Sequence, residues 1–363
     1  MWNRWWIAVY LMVVLVFWCG CGKEEKPPAP VLPDKPPSPA PNETVNLPQQ
    51  PPQEPQPPQE SPRPVSQVQP SEPPPKPQEP TNPSEPPQTE ESSKKAFEEA
   101  IAETTPEKKR TLLKKVIETY PDSEEFYKAS EALADIYASF NELYNAVKTL
   151  SDAYIKSDNE ENRRNWAKKM EEWNQKVFFS FIDTPISQVY VVQAGDVLSK
   201  VGADFNVPYK FIMRMNGIQD ERKIRVGDRI KIPVPKDKKK MEAFVQVDKS
   251  EHSLSIFING VFLKRYTVGL GKDDRTPEGE FTIISKVNKP SWKGKPYGDP
   301  ENIIGDWWLG FDETKFQGLG IHGTNDPSSI GKDVSEGCVR MTNADVDEVA
   351  NTIPKDSKVV VRK

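Results

Sequence analysis

Between residues 93 and 180, apolar positions recur three and four apart. Ala129, Ala132, Leu133, Ile136, Tyr137 and Phe140 share one face, and Ala146, Leu150, Ala153 and Tyr154 repeat the spacing after a gap. That period predicts two amphipathic helices. "TYPDS" (Thr119 to Ser123) breaks the chain before the first. An earlier helix around Lys108 to Ile117 follows "TTPEKK", where Thr105 can cap and Pro106 can occupy the first turn. From Tyr190 the pattern shortens. A strand at Tyr190 to Val192, helices at Val197 to Phe205 and Tyr209 to Met215, and a closing strand "RIKIP" fit in under fifty residues. From Met241 the period drops to two. "AFVQVDKSEHSLSIFINGVFLKRYTVGLG" alternates apolar and polar residues around Asn259-Gly260, a hairpin signal, and "TPEGEFTI" adds a further strand. "NADVDEVANTI" is the one clear helical pattern near the end.

Composition changes the picture at the front of the chain. Of its 37 prolines, 25 precede residue 93. Residues 22–92 are Pro, Gln, Glu and Ser with few large apolar side chains, which predicts a disordered, polyproline-rich spacer. At about 3.1 Å per residue it would reach roughly 220 Å fully extended. Ahead of it, Arg4 precedes a solid apolar run from Trp5 to Trp18 and a small-residue Cys-Gly-Cys end. That is the layout of an export signal. Its end resembles the lipobox of bacterial lipoproteins, with Cys21 as the residue that would carry lipid; an uncleaved signal anchor is the alternative. Either way the expectation is an exported, membrane-tethered protein in the cell envelope.

The net charge of −5 leaves no basic face for a phosphate backbone and argues against nucleic acid as a partner. The chain has two histidines and three cysteines. If residues 1–21 serve as signal and anchor, Cys338 has no disulfide partner. An unpaired thiol in an oxidising compartment calls for burial or chemistry. "IHGTNDPSSIGKDVSEGCVRM" places His322 sixteen residues before it in one irregular segment. A thiol becomes a nucleophile when a base can take its proton. Gly337 beside it allows backbone N–H groups to face a developing oxyanion, and Arg340 offers a cation for a substrate carboxylate. His252 reads as a surface residue without a chemical role. No metal-ligand cluster appears and no cofactor is called for.

Two stretches carry family resemblances, and a third, weaker one marks the helices. Gly195-Asp196, Leu198, Phe205-Asn206-Val207, Asn216, Ile218, Gly227-Asp228 and Ile232-Pro233 fall at the positions of a LysM module. The resemblance implies binding of N-acetylglucosamine-containing glycans in a groove between Gly195, Asp196, Val197 and Asn216, Gly217, Ile218. These Gly-Asp and Asn-Gly pairs also suit turns, so they can shape the fold as readily as touch sugar. "GLGIHGTNDPSSIGKDVSEGCVRMTNADV", with "RTPEGEFTI" upstream, resembles the signature of the L,D-transpeptidase catalytic domain. The resemblance implies Cys338 as nucleophile, His322 as general base, the Gly323 carbonyl as orienter of the imidazole, and Thr324, Ser335, Glu336, Gly337 and Arg340 at the remaining oxyanion and substrate positions. Many members carry a second histidine where this chain has Glu336. A carboxylate there would tend to raise the thiol pKa or draw acceptor amines. The small-residue helix pairs resemble tetratricopeptide repeats, or serve as a helical spacer or docking module for a protein partner.

The expected organisation is multidomain: signal and anchor (1–21), disordered spacer (22–92), α-helical segment (93–180), βααβ LysM module (188–234), and an all-β or mixed-β catalytic domain (242–363). The expected function is transpeptidation of peptidoglycan stem peptides through a Cys thioester, giving 3-3 cross-links or attaching another amine acceptor. A non-catalytic peptidoglycan-binding lipoprotein and an L,D-carboxypeptidase are the alternatives.

Overall fold

The computed structural model describes residues 90–312 and 316–363. The expected signal and anchor with Cys21, and the spacer as far as residue 89, lie outside them. Among the described residues no helix is long and apolar enough to cross a membrane.

Five helices come first: α1 (Glu90–Ala102), α2 (Pro106–Thr119), α3 (Glu124–Ser139), α4 (Leu143–Lys156) and α5 (Glu160–Val177), each packed on the next. The apolar stripes of α3 and α4 are buried, as their spacing demands; Ala129, Leu133, Ala146, Leu150 and Ala153 are among the most enclosed residues. Four differences from the sequence reading stand out. Residues 90–92 belong to α1, not to the spacer. Thr105 sits at the N-cap of α2 but its side chain makes no capping hydrogen bond, while Pro106 does occupy the first turn. α1 was not separated from its surroundings, because its charged residues blur the stripe. α5 was missed for the same reason: Arg163 and Asn174 are buried on its inward face beside Trp166 and Met170, so the buried stripe does not read as apolar.

The βααβ unit has β1 (Gln188–Val191) paired antiparallel with β2 (Arg229–Ile232), flanking α6 (Leu198–Asp204) and α7 (Tyr209–Met215). The remainder builds on one eight-stranded sheet. Its strands are β3 (Ala243–Asp248), β4 (Ser253–Ile258), β5 (Val261–Thr267), β7 (Gly279–Asn288), β8 (Trp307–Phe311), β9 (Gly320–His322), β11 (Val339–Arg340) and β12 (Lys358–Arg362). Their order is β11-β9-β8-β7-β12-β3-β4-β5, with parallel pairs β11/β9 and β12/β3 and antiparallel pairs elsewhere. The sheet is therefore mixed, with both parallel and antiparallel neighbours. Two short strands, β6 (Leu270–Gly271) and β10 (Asp333–Ser335), pair beside it. Asn259 and Gly260 both take positive φ (51° and 73°) and close the β4–β5 hairpin as their sequence demands. Helix α8 (Asn343–Ala350) is capped by Thr342, whose hydroxyl accepts from the Asp345 N–H.

The two edges of this sheet are finished differently. At β5, helices α4 and α5 supply side chains to the strand's backbone. The Phe262 N–H donates to Ser151 Oγ (2.9 Å) and the Arg265 N–H to Glu171 Oε1 (2.9 Å). Asn174 Nδ2 donates to the carbonyls of Phe262 and Leu263 (2.9 and 3.0 Å). Backbone groups that would otherwise recruit another strand are thus satisfied within the chain. Beneath them, Arg163 is enclosed between Asp248 (2.6 Å) and Glu251 (2.9 Å). The βααβ unit joins the same junction: Lys231 Nζ donates to the carbonyls of Val177 and Ser180 at the end of α5, and Arg214 pairs with Glu348 of α8 (2.8 Å). At the other edge, β11 carries the candidate chemistry.

Candidate active site

β9 and β11 run parallel, with Val339 opposite Ile321 and Arg340 opposite His322. Alternation along a strand then places Cys338, Arg340 and His322 on one face. On the far side of β9, Trp308 of β8 lies opposite His322 and stacks on its ring, with centroids 5.9 Å apart. The long connection between β7 and β8 folds over this face. Together they enclose a cavity of about 620 Å³ whose wall includes Trp292, Lys293, Ile304, Trp308, Ser335 and Glu336, with His322, Cys338 and Arg340.

His322 is 2 % exposed. Its Nδ1 lies 2.5 Å from the Gly323 carbonyl oxygen. A carbonyl only accepts, so Nδ1 carries the hydrogen and Nε2 is left as a base. Burial pushes the imidazole pKa down to about 4; the Arg340 cation acts in the same direction, and the Gly323 and Ile304 carbonyls oppose it. A Cβ on Gly323 would overlap Asn343 Oδ1, so a larger residue there would displace that side chain. That oxygen also accepts from the N–H groups of Asp306 (3.1 Å) and Thr324 (3.2 Å).

Cys338 is half-buried. Its Sγ lies 3.5 Å from the Gly318 carbonyl. Burial pushes the thiol pKa up, while the Gly320 N–H and the Arg340 cation pull it back. At rest both groups are therefore neutral, and both line the same cavity. Ser335 Oγ donates to the Cys338 carbonyl (2.7 Å) and accepts from the Gly337 N–H (3.1 Å). Gly337 has φ 134°, and a Cβ there would lie 3.0 Å from the Arg275 carbonyl oxygen.

Several sequence expectations change here. The Gly337 N–H is taken by Ser335 and is not free for an oxyanion. Among the described residues, no acceptor is paired with the Cys338 N–H. Thr324 is buried in the turn, where its hydroxyl accepts from the Asp326 N–H (3.0 Å), and it does not line the cavity. Glu336 is exposed and turned to Lys272 (2.9 Å) and Arg275. These cations hold its carboxyl below the usual range, and the rise in the thiol pKa comes from burial instead. His252 is partly exposed and outside the cavity, with its Nε2 2.9 Å from Asp333 Oδ1 of β10. Sequence reasoning missed Trp292, Ile304 and Trp308. The paired tryptophans at 307 and 308 were the available signal.

The sequence profile of the L,D-transpeptidase catalytic domain matches residues 242–361, and that of the LysM domain matches residues 190–233. The chain is 34% identical over 175 residues to "Putative L,D-transpeptidase YkuD" of Bacillus subtilis, covering 48% of this chain and 98% of that protein. The chain belongs to the L,D-transpeptidase family. It is also 39% identical over 134 residues to "Putative L,D-transpeptidase YqjB" of the same organism, covering 36% of this chain and 73% of that one. A solved L,D-transpeptidase from Mycobacterium smegmatis aligns with 38% of this chain and 65% of its own at 19% identity and a TM-score of 0.29. So distant a superposition adds nothing to the assignment.

As an L,D-transpeptidase with a LysM module, the chain has the equipment of a peptidoglycan-binding enzyme of the cell envelope. In the LysM module, polar groups at the expected groove hold the fold. The Asp196 carboxylate accepts from the Tyr190 hydroxyl (2.6 Å) and the Gln193 N–H (2.7 Å). Asn216 Nδ2 donates to the Ile212 and Lys231 carbonyls, and its Oδ1 accepts from the Lys231 N–H. Ile218 packs against the core, Gly195 and Gly217 take positive φ, and Val197 is exposed.

Proposed function

We propose that this L,D-transpeptidase acts through a thioester on Cys338. The carrying observation is that a buried neutral imidazole, oriented by the Gly323 carbonyl, and a neutral thiol line one cavity. As the Cys338 sulfur attacks the donor carbonyl, the thiol proton passes to His322 Nε2, the S–C bond forms and the carbonyl π pair moves to oxygen. The Cys338 N–H, which has no acceptor among the described residues, serves as a donor for that oxyanion. Collapse breaks the C–N bond, and His322 returns the proton to the departing amine. The donor is a stem tetrapeptide, cleaved between its third residue and D-Ala. An acceptor amine then resolves the thioester, giving a 3-3 cross-link. Arg340, whose Nε is buried in the cavity wall without a partner, receives a substrate carboxylate.

In this reading residues 1–21 export and anchor the chain, with lipid on Cys21. The spacer gives it reach, and the loops at Gly195–Val197 and Asn216–Ile218 hold glycan strands. Concentrating the enzyme on its polymer raises the effective donor concentration. The test is product analysis by mass spectrometry with a donor tetrapeptide, with and without an amine acceptor. The reading predicts a cross-linked product and free D-Ala. Tripeptide alone in both arms points to water as acceptor, and no turnover by folded protein leaves only glycan binding.

A further inference from the structure

Thr276 lies in the segment that follows β6, 62 positions before the nucleophile, and is 2 % exposed. It is outside the cavity wall. Its Oγ1 is 2.8 Å from the Gly271 N–H and 3.0 Å from the Gly337 carbonyl oxygen. The amide can only donate and the carbonyl can only accept, so the hydroxyl's roles are fixed: it accepts from Gly271 and donates to Gly337.

The Gly337 carbonyl belongs to the same peptide unit as the Cys338 N–H. In a trans peptide the two bonds are coplanar and point in opposite directions. Holding the carbonyl against Thr276 therefore turns the Cys338 N–H to the other side. The packing leaves little slack: a Cβ on Gly271 would lie 2.9 Å from the Gly337 Cα and 2.7 Å from the Thr276 N. Glycine at 337 is conformationally permissive, and Ser335 holds only the groups on either side, the Gly337 N–H and the Cys338 carbonyl, so Thr276 is the side chain bonded to this peptide itself. On the next strand positions, the Arg340 N–H and C=O are paired with Gly269 (2.8 Å each), which fixes β11 itself but not the peptide ahead of Cys338.

We infer that Thr276 is a positioning residue for acyl transfer, orienting the Gly337–Cys338 peptide so that the Cys338 N–H meets the oxyanion. This deepens the thioester reading above and rests on it for the identity of the donor. The claim about peptide orientation can be tested without that donor. Attack on a carbonyl creates an oxyanion; alkylation of a thiol by iodoacetamide, a displacement at saturated carbon, does not.

The experiment measures, on the full chain, the rate of Cys338 acylation by p-nitrophenyl acetate and its rate of alkylation by iodoacetamide. For Thr276→Val, which keeps the shape and loses the hydroxyl, acylation is expected to fall at least about tenfold, in line with loss of an oxyanion donor. Alkylation stays within about threefold of wild type. Thr276→Ser, which keeps the hydroxyl, holds the ratio of the two rates within about threefold. Equal loss of both rates in Thr276→Val, or loss of neither, overturns the inference. So does a Ser variant whose ratio falls as far as that of Val, and the Ser variant decides the matter alone should Val not fold. A parallel arm with the stem tetrapeptide separates the two claims. If wild type reacts with the ester but never with the peptide, the substrate reading fails while the role of Thr276 stands or falls on the ratio.

Discussion

The β5 edge and the β11 edge of one sheet solve opposite problems. At β5 the backbone is closed off: Ser151, Glu171 and Asn174 take its hydrogen-bonding groups, and the buried Arg163 lies between Asp248 and Glu251. At β11 the backbone is held by Gly269 and His322 flanks it, yet the Cys338 N–H and the Arg340 Nε are left without partners beside a cavity. The difference lies in the backbone, taken up by side chains at β5 and left with an open N–H at the cavity beside β11. Buried side-chain atoms without a hydrogen-bond partner occur at both edges, Arg163 Nε and Asn174 Oδ1 at one and Arg340 Nε at the other. Stability and reactivity are thus separable along one sheet.

Substitutions that strike one edge should leave the other alone. Cys338→Ala is the most severe for function. It should abolish acyl transfer, a loss of at least about 10³-fold, with the melting temperature nearly unchanged. Arg163→Ala is the mirror case. It leaves two enclosed carboxylates without their cation, which costs about 3–5 kcal/mol and lowers the melting point by roughly 10 °C. Its acylation rate at low temperature should stay within about threefold of wild type; a collapse of that rate would show that the edges are coupled.

A subtler effect is in pH. The imidazole of His322 titrates at about 4 in the folded chain against an ordinary 6.5. Between those values the unfolded chain binds the extra proton, so stability is full above about 6.5 and falls as pH drops toward 4. The loss is at most roughly 3 kcal/mol, and His322→Gln should remove it from denaturant titrations. The base also stays neutral well below pH 6.5, so the acid limb of acylation should lie near 4 to 5. Because burial raises the thiol pKa, iodoacetamide alkylation of Cys338 should still be rising at pH 9. A plateau by pH 7 would instead reveal a thiolate–imidazolium pair. The smallest change expected is from Glu336→Gln. The carboxylate is exposed and its pairing with Lys272 and Arg275 is screened by solvent, so alkylation profiles with and without it should overlay within about twofold.

Much of this arrangement was legible in the chain. The alternation after Met241 and Asn259-Gly260 predict the strands and their hairpin, and the spacing of Ala129 to Tyr154 predicts α3 and α4. His322 and Cys338 could be paired because so few histidines and cysteines compete for the role. What escaped notice was tertiary. α5 hides its inward face behind Arg163 and Asn174, polar residues whose partners come from β3, β5 and the turn after β3. Thr276 is one threonine in a turn until the fold brings Gly337 to its hydroxyl. Glu336 looked like a fault beside the nucleophile, and only the placement of Lys272 and Arg275 shows where its charge is spent.

The central claim is that Cys338 forms an acyl-enzyme. Intact-mass spectrometry of the full chain after brief exposure to a stem tetrapeptide tests it most directly. The account predicts a species heavier by the acyl tripeptide, release of D-Ala in equal amount, and no such species in Cys338→Ala. An unchanged mass for folded wild-type protein, or an adduct that persists in Cys338→Ala, would contradict it.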